Sequence, residues 1–199
     1  MKNIIFIFAL FSSISLFKSQ SITIDINDSE LNKPTGYYRK DIHNILNQFE
    51  GTFLYTNGNT SLKIILVKKI KQYNSSYYED LIIGEYQYIV NGVEKSNTLS
   101  NLDVVYNNQY AKHAIAGVST IDNNFRGWKC LQCNSNEQRL DSKIIDRITD
   151  RHATIYMRKT VVNGQEVLQV KVTDILPDFE NMNPPDFSLP KGEFTLIKQ

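Results

Sequence analysis

Hydrophobic and polar residues alternate with a period of two along most of this chain. Behind Asn163-Gly164, Leu168, Val170 and Val172 fall on one side of an extended backbone, and Gln169, Lys171 and Thr173 fall on the other. This is the pattern of a sheet with one face in a core and one in water. Three pairs of such runs meet at an Asn-Gly corner. Thr52–Thr56 leads through Asn57-Gly58 to Leu62–Lys71, Leu81–Val90 through Asn91-Gly92 to Val93–Leu99, and His152–Val162 through Asn163-Gly164 to Glu166–Ile175. Asn and Gly both tolerate the positive φ that a two-residue hairpin requires. Further runs at Lys112–Ile121, Arg139–Ile148 and Glu193–Lys198 bring the expected strands to about nine. Pro177–Pro190 contains Pro184-Pro185 and cannot be a central strand, because proline lacks the ladder N–H. The expected fold is mostly β: a single antiparallel meander, closed as a barrel or folded as a sandwich.

Near the start the period changes. Tyr38, Ile42, Ile45, Leu46 and Phe49 recur at steps of three and four, which predicts one short N-terminal helix ending by Gly51. Ser21 to Pro34 ahead of it is polar and irregular. At the N-terminus itself, Lys2 precedes an uncharged run from Ile4 to Leu16, about 13 residues long. That length suits the apolar segment of a secretory signal and is short for a membrane span. A signal peptide over residues 1–19 is expected, cut after Ser19 or, competing with it, after Ser15. Residues 20–199 then form a single β-rich domain, exported to the periplasm or beyond, with no membrane span after cleavage.

Charge narrows the partners. Lys and Arg number 22 and Asp and Glu 21. Losing Lys2 and Lys18 with the leader leaves the mature chain slightly acidic, which does not favour nucleic acid. The cluster Lys68, Lys69, Lys71 reads as a solvated face or a protected sheet edge. An outer-membrane barrel fits poorly, because lysines occupy both parities of that strand and interrupt any lipid-facing band.

Candidate chemistry is sparse. Trp128-Lys129-Cys130-Leu131-Gln132-Cys133 holds both cysteines. A thioredoxin-type centre wants Trp directly before the first Cys and a strand–helix context; haem attachment wants His where Asn134 stands; zinc wants further ligands. In an exported protein the pair Cys130 and Cys133 is expected to form a local disulfide, closing a small loop worth about 2 kcal/mol. His43, His113 and His152 lack ligand spacing, so no metal or cofactor is expected. Gly117-Val118-Ser119-Thr120 lacks the second glycine of a nucleophile elbow. Asp141, Asp146 and Asp150 are close in sequence and would support acid–base chemistry if they met a histidine in one cleft. No catalytic set is legible otherwise. Of the 22 aromatic residues, 11 are Tyr; Tyr86 and Tyr88 share a strand face, and Tyr37, Tyr38, Tyr77 and Tyr78 fall in pairs near element ends. Such rings suit sheet packing or a binding surface.

The stretches Phe49-Glu50-Gly51-Thr52-Phe53, Tyr77-Tyr78-Glu79-Asp80, Ile83-Gly84-Glu85-Tyr86-Gln87-Tyr88, Cys130-Leu131-Gln132-Cys133 and the ending from Pro190 to Gln199 resemble a family of secreted Bacteroidetes proteins, domain of unknown function 6705. The resemblance spans the mature chain and carries over no catalytic residues. A looser likeness is to the lipocalin-like (calycin) barrels, where a short helix leads into Gly-x-Trp; here Gly51-Thr52-Phe53 has Phe instead. That likeness implies a barrel holding a small ligand. The expected function is therefore a non-enzymatic exported module binding a small ligand or a protein or glycan partner, with a polymer-directed hydrolase as the alternative.

Overall fold

The computed structural model describes residues 22–131, 133–176 and 185–199. The leader expected at 1–19 lies outside them, as do residues 177–184 of the proline-rich stretch. Eleven strands are present among the described residues: β1 (Thr23–Asp25), β2 (Tyr38–Lys40), β3 (Gly51–Asn57), β4 (Thr60–Tyr73), β5 (Tyr78–Val90), β6 (Val93–Asn97), β7 (Ile115–Ile121), β8 (Arg139–Asp146), β9 (Arg151–Val162), β10 (Gln165–Thr173) and β11 (Gly192–Lys198). Eight of them close an antiparallel barrel. β3, β4 and β5 pair in sequence order, β5 pairs β7, and β7 through β11 continue the meander. β11 returns to β3 at Ile197↔Leu54 and Lys198↔Phe53 and shuts the ring.

The Asn-Gly corners work as their backbone preferences demand. At Asn91-Gly92 and Asn163-Gly164 both central residues adopt positive φ, the turn whose twist matches the flanking strands. At the first corner Gly58 alone of the pair has positive φ, and the two-residue turn is Gly58-Asn59 between Asn57 and Thr60. β5 pairs with four other strands. One side is covered by β4; the other is shared along its length by β2, β7 and β6. β6 therefore lies outside the barrel, and the chain from Thr98 to Ala114 must loop out before β7 can rejoin.

Inside, the barrel is filled. Phe53, Leu62, Ile64, Leu66, Ile82, Tyr86, Ile115, Leu140, Ile144, Ile155, Met157, Leu168, Val170 and Leu196 belong to one buried cluster. Eight strands leave an interior just wide enough for such side chains. Leu46 and Phe49 join this core at one end, and Phe187 and Leu189 at the other, so both mouths carry apolar plugs. Tyr86 is wholly buried, and loss of water around its hydroxyl pushes its pKa up to about 12.

The segment expected as one helix from Tyr38 to Phe49 is instead strand β2 followed by a 3-10 turn at Ile45–Phe49. Two buried carboxylates decide this. Asp41 accepts the N–H groups of Ile45 and Leu46 at 2.8 and 2.9 Å, and Asn44 adopts φ 54, which interrupts any right-handed helix. Asp80 accepts from the Tyr38 hydroxyl at 2.5 Å and from the backbone N–H of Asp41 at 3.0 Å and Lys71 at 2.8 Å, stitching β2 to the barrel. Lys68 is not solvated, as its cluster suggested. Its ammonium donates to Asp41 at 2.7 Å and Asn47 at 2.6 Å, with the side chain 8% exposed. The short α-helix α1 lies elsewhere, at Gln109–Lys112 in the loop before β7.

Candidate functional site

Because the interior is packed, concave surface must come from the outer wall and what leans on it. Among the described residues two grooves of this kind stand out. The larger, about 650 Å³, runs over the outward faces of β8 and β9 and is walled by β2, the Asn74–Tyr77 loop and α1.

Its floor follows from strand alternation. On β8, Leu140 and Ile144 point into the core, so Asp141 and Lys143 point out. Lys143 is opposite Thr154 on β9 and opposite Ala116 on β7, whose methyl leaves room beside it. His152 lies two residues before Thr154 on the same face. At the far side, Arg39 of β2 is in register with Glu79 of β5. The walls carry two tyrosines. Tyr77 stacks on Tyr37 with ring centroids 4.4 Å apart, and Tyr110 of α1 leans over the Lys143 ammonium at 4.5 Å from its ring centroid. Asn108 links the walls. Its side-chain Oδ1 accepts the Ala111 N–H at 2.9 Å to start α1, and its side-chain Nδ2 donates to the Asn74 backbone carbonyl at 3.2 Å.

Burial perturbs the ionisable groups here. Loss of water lifts the Glu79 carboxyl above its usual range, against a hydrogen bond from Asn74 and the charge of Arg39. Burial alone lifts Asp141. Burial, and then the charge of Arg147, bring Lys143 down to about 8. His152 is lowered by burial and by the charges of Lys143 and Arg147, with Asp150 acting the other way. The Tyr110 hydroxyl is raised by burial and by Glu79 and Asp141 beside it. Such a concentration of shifted groups is what marks a site able to bind or react. The groove thus combines two cationic side chains, Arg39 and Lys143, with two carboxyls, Glu79 and Asp141.

Of the four residues whose meeting would favour a hydrolase, the groove contains two, Asp141 and His152. Asp146 is fully buried at the end of β8, where its carboxylate accepts from the Ser188 N–H at 2.7 Å and hydroxyl at 2.6 Å. Asp150 sits on an exposed turn with φ 54. His43 is exposed, and His113 is buried against Glu85 in the loop-out before β7. Among the described residues no group of three or more His, Cys, Asp or Glu is placed to hold a metal ion. Glu79, Arg39, Lys143 and Tyr110 are not legible as site residues in the sequence, because nothing local distinguishes an outward position that another layer covers.

The smaller groove, about 400 Å³, lies against the loop between β7 and β8. Cys130 and Cys133 are at disulfide distance there, with Cα atoms 5.3 Å apart. Asn123 brackets them: its amide donates to the carbonyls of Cys130 at 2.7 Å and Cys133 at 3.1 Å, and its oxygen accepts the Cys130 N–H at 2.9 Å. Arg139, wholly buried, donates to the same Asn123 oxygen at 2.6 Å and to the Trp128 carbonyl, with the Trp128 ring 5.1 Å from its guanidinium. The loop is fastened to the wall by a built polar network.

No helix among the described residues is long and apolar enough to cross a membrane. Set against known proteins, residues 1–199 match the model of a family of unknown function (DUF6705). No curated protein and no solved structure matches the chain.

Proposed function

As the chain belongs to the family of unknown function DUF6705, we propose its role from geometry: an exported, non-enzymatic module that holds a hydroxyl-rich glycan in the groove on the outer barrel wall. The observation that carries this reading is the position of Glu79, Asp141, Lys143 and His152 with Tyr77 and Tyr110 in one groove, while the barrel interior is occupied by its own side chains. Sugar rings offer hydroxyls to carboxylates and amides and apolar faces to aromatic rings, and this lining supplies both kinds of partner. The filled core argues against a ligand inside the barrel.

An oligosaccharide array probed with the folded protein tests the reading. Binding is expected, and Tyr110→Ala should weaken it about ten-fold or more, the loss of about 1.4 kcal/mol of ring contact. A Tyr110→Ala protein that binds as the unmutated one does would move the site out of the groove. The hydrolase alternative retains one observation, the two burial-raised carboxyls of Glu79 and Asp141 in a single groove. Reducing ends released on the same array, and abolished by Asp141→Asn, would replace the binder with an enzyme.

Export is proposed from the leader pattern and supported by the cysteine pair, which suits an oxidising compartment. Intact-mass analysis of protein made in its own host is expected to give a chain starting at Gln20 or Leu16 with both thiols blocked to alkylation. A chain retaining Met1 to Ser19, or two free thiols, would overturn it.

A further inference from the structure

Lys143 is the feature of the groove that glycan binding in general does not explain. Its side chain is half-buried, and among the described residues no carboxylate lies within ion-pair distance of its ammonium. The groups that face it supply one attractive contact, the Tyr110 ring. β8 and the turn behind it bring Asp141, too distant to pair, and the cationic Arg147; β9 brings His152 and Thr154; β7 brings Ala116; α1 brings the Tyr110 ring. The charges of Glu79 and Asp141 act on the Tyr110 hydroxyl and raise it, with Arg39 acting the other way. An ammonium held partly out of water, with the Tyr110 ring as its close attractive neighbour and no carboxylate in ion-pair reach, gains from an anion that comes to it.

We propose that the ligand is an acidic oligosaccharide, a uronic-acid polymer or fragment, with one sugar carboxylate on the Lys143 ammonium and its hydroxyls toward Glu79 and Asp141. The proposal rests on glycan binding in the groove and narrows it to one class of glycan. A carboxylate bound to Lys143 receives a charge-assisted hydrogen bond in a site where water competes poorly. The Tyr110 ring over the ammonium keeps the lysine oriented across the floor.

Lys143 is also lowered to about 8, by burial first and by Arg147 second. The ammonium form is the one that attracts an anion. Affinity for an acidic glycan is therefore fully present below about 8 and lost as pH rises above it. His152 would add to attraction only at lower pH, since its own pKa is lowered.

The test is an array of galacturonic, glucuronic and mannuronic acid oligomers, each printed as the free acid and as the primary amide, beside neutral hexose oligomers. The amide keeps the shape and the hydroxyls and removes the charge. Free acids are expected to bind at least ten-fold more tightly than their amides. That preference should vanish in Lys143→Met, persist in Lys143→Arg, and fade between pH 7 and pH 9.5 in the unmutated protein. Amides or neutral hexoses binding as tightly as the acids would overturn the inference and leave glycan binding in the groove intact. Binding to none of the three sets would overturn both. The acid-to-amide comparison uses the unmutated chain, so its outcome does not depend on the variants folding.

Discussion

His113→Ala is expected to lower the free energy of unfolding by about 3 kcal/mol, the cost of leaving a buried carboxyl and a buried amide without their hydrogen-bond partner. His113 is wholly buried. Its Nδ1 lies 2.8 Å from Glu85 Oε1, and its Nε2 lies 2.6 Å from Gln109 Oε1. The Gln109 amide is oriented for this by donating to the Tyr106 carbonyl at 3.1 Å. The other Glu85 oxygen is buried with no hydrogen-bond partner among the described residues, so removing the imidazole strips the carboxylate of its main support. Replacing both members, as in Glu85→Leu with His113→Leu, should recover much of the loss, because the buried polar atoms disappear together. Urea unfolding of the two single variants and the pair gives the coupling directly. A loss below about 1 kcal/mol for His113→Ala would mean that water reaches Glu85 and that the pair is not dry. The consequence extends to the groove. His113 and Gln109 anchor the loop that carries Tyr110, so the same variant should weaken glycan binding without touching the ligand.

Arg139→Ala should cost at least about 3 kcal/mol, more than breaking the Cys130–Cys133 bond. Arg139 is the largest fully buried side chain, and it satisfies the Trp128 carbonyl, the Asn123 oxygen and a Glu137 oxygen at 3.3 Å. Its removal leaves buried acceptors bare, each at about 1–3 kcal/mol, and a void where the guanidinium faced Trp128. Closing the tiny cysteine loop restricts the unfolded chain by only about 2 kcal/mol. Arg139→Lys should not restore stability, since a single ammonium cannot span acceptors set for a planar fork. Thermal unfolding of the alanine and lysine variants, with and without reductant, ranks the three contributions. A lysine variant as stable as the unmutated chain would refute the fork argument.

The barrel wall is legible in the sequence because its signals are local. Every one of the nine expected strands is present, within a few residues of its expected limits, and each two-residue hairpin falls at an Asn-Gly corner. The element that departs from its sequence pattern is the lead-in. Tyr38, Leu46 and Phe49 are buried as a helical stripe would bury them, yet Asp41 and Asp80 satisfy that backbone in a different shape. β1 and β2, three residues each, are too short to show a period at all. Within the lysine cluster Lys71 is exposed as expected, and Lys68 departs for the same reason as the lead-in: it has its partner in Asp41, 27 residues earlier.

Alternation along each strand and the φ preference of Asn-Gly are properties of neighbours in sequence, so the chain alone determined an antiparallel meander of one-sided strands. Whether that ribbon closed as a barrel or folded as a sandwich depended on β11 meeting β3 across more than a hundred residues, and on β7 finding β5 past the loop-out. The site depended on the same distant meetings. An outward Lys143, an Asp141 and a His152 read as solvated residues until α1 and the Tyr77 loop are laid over them. Desolvation, which gives those groups their chemistry, belongs to the assembled layers and to no single segment.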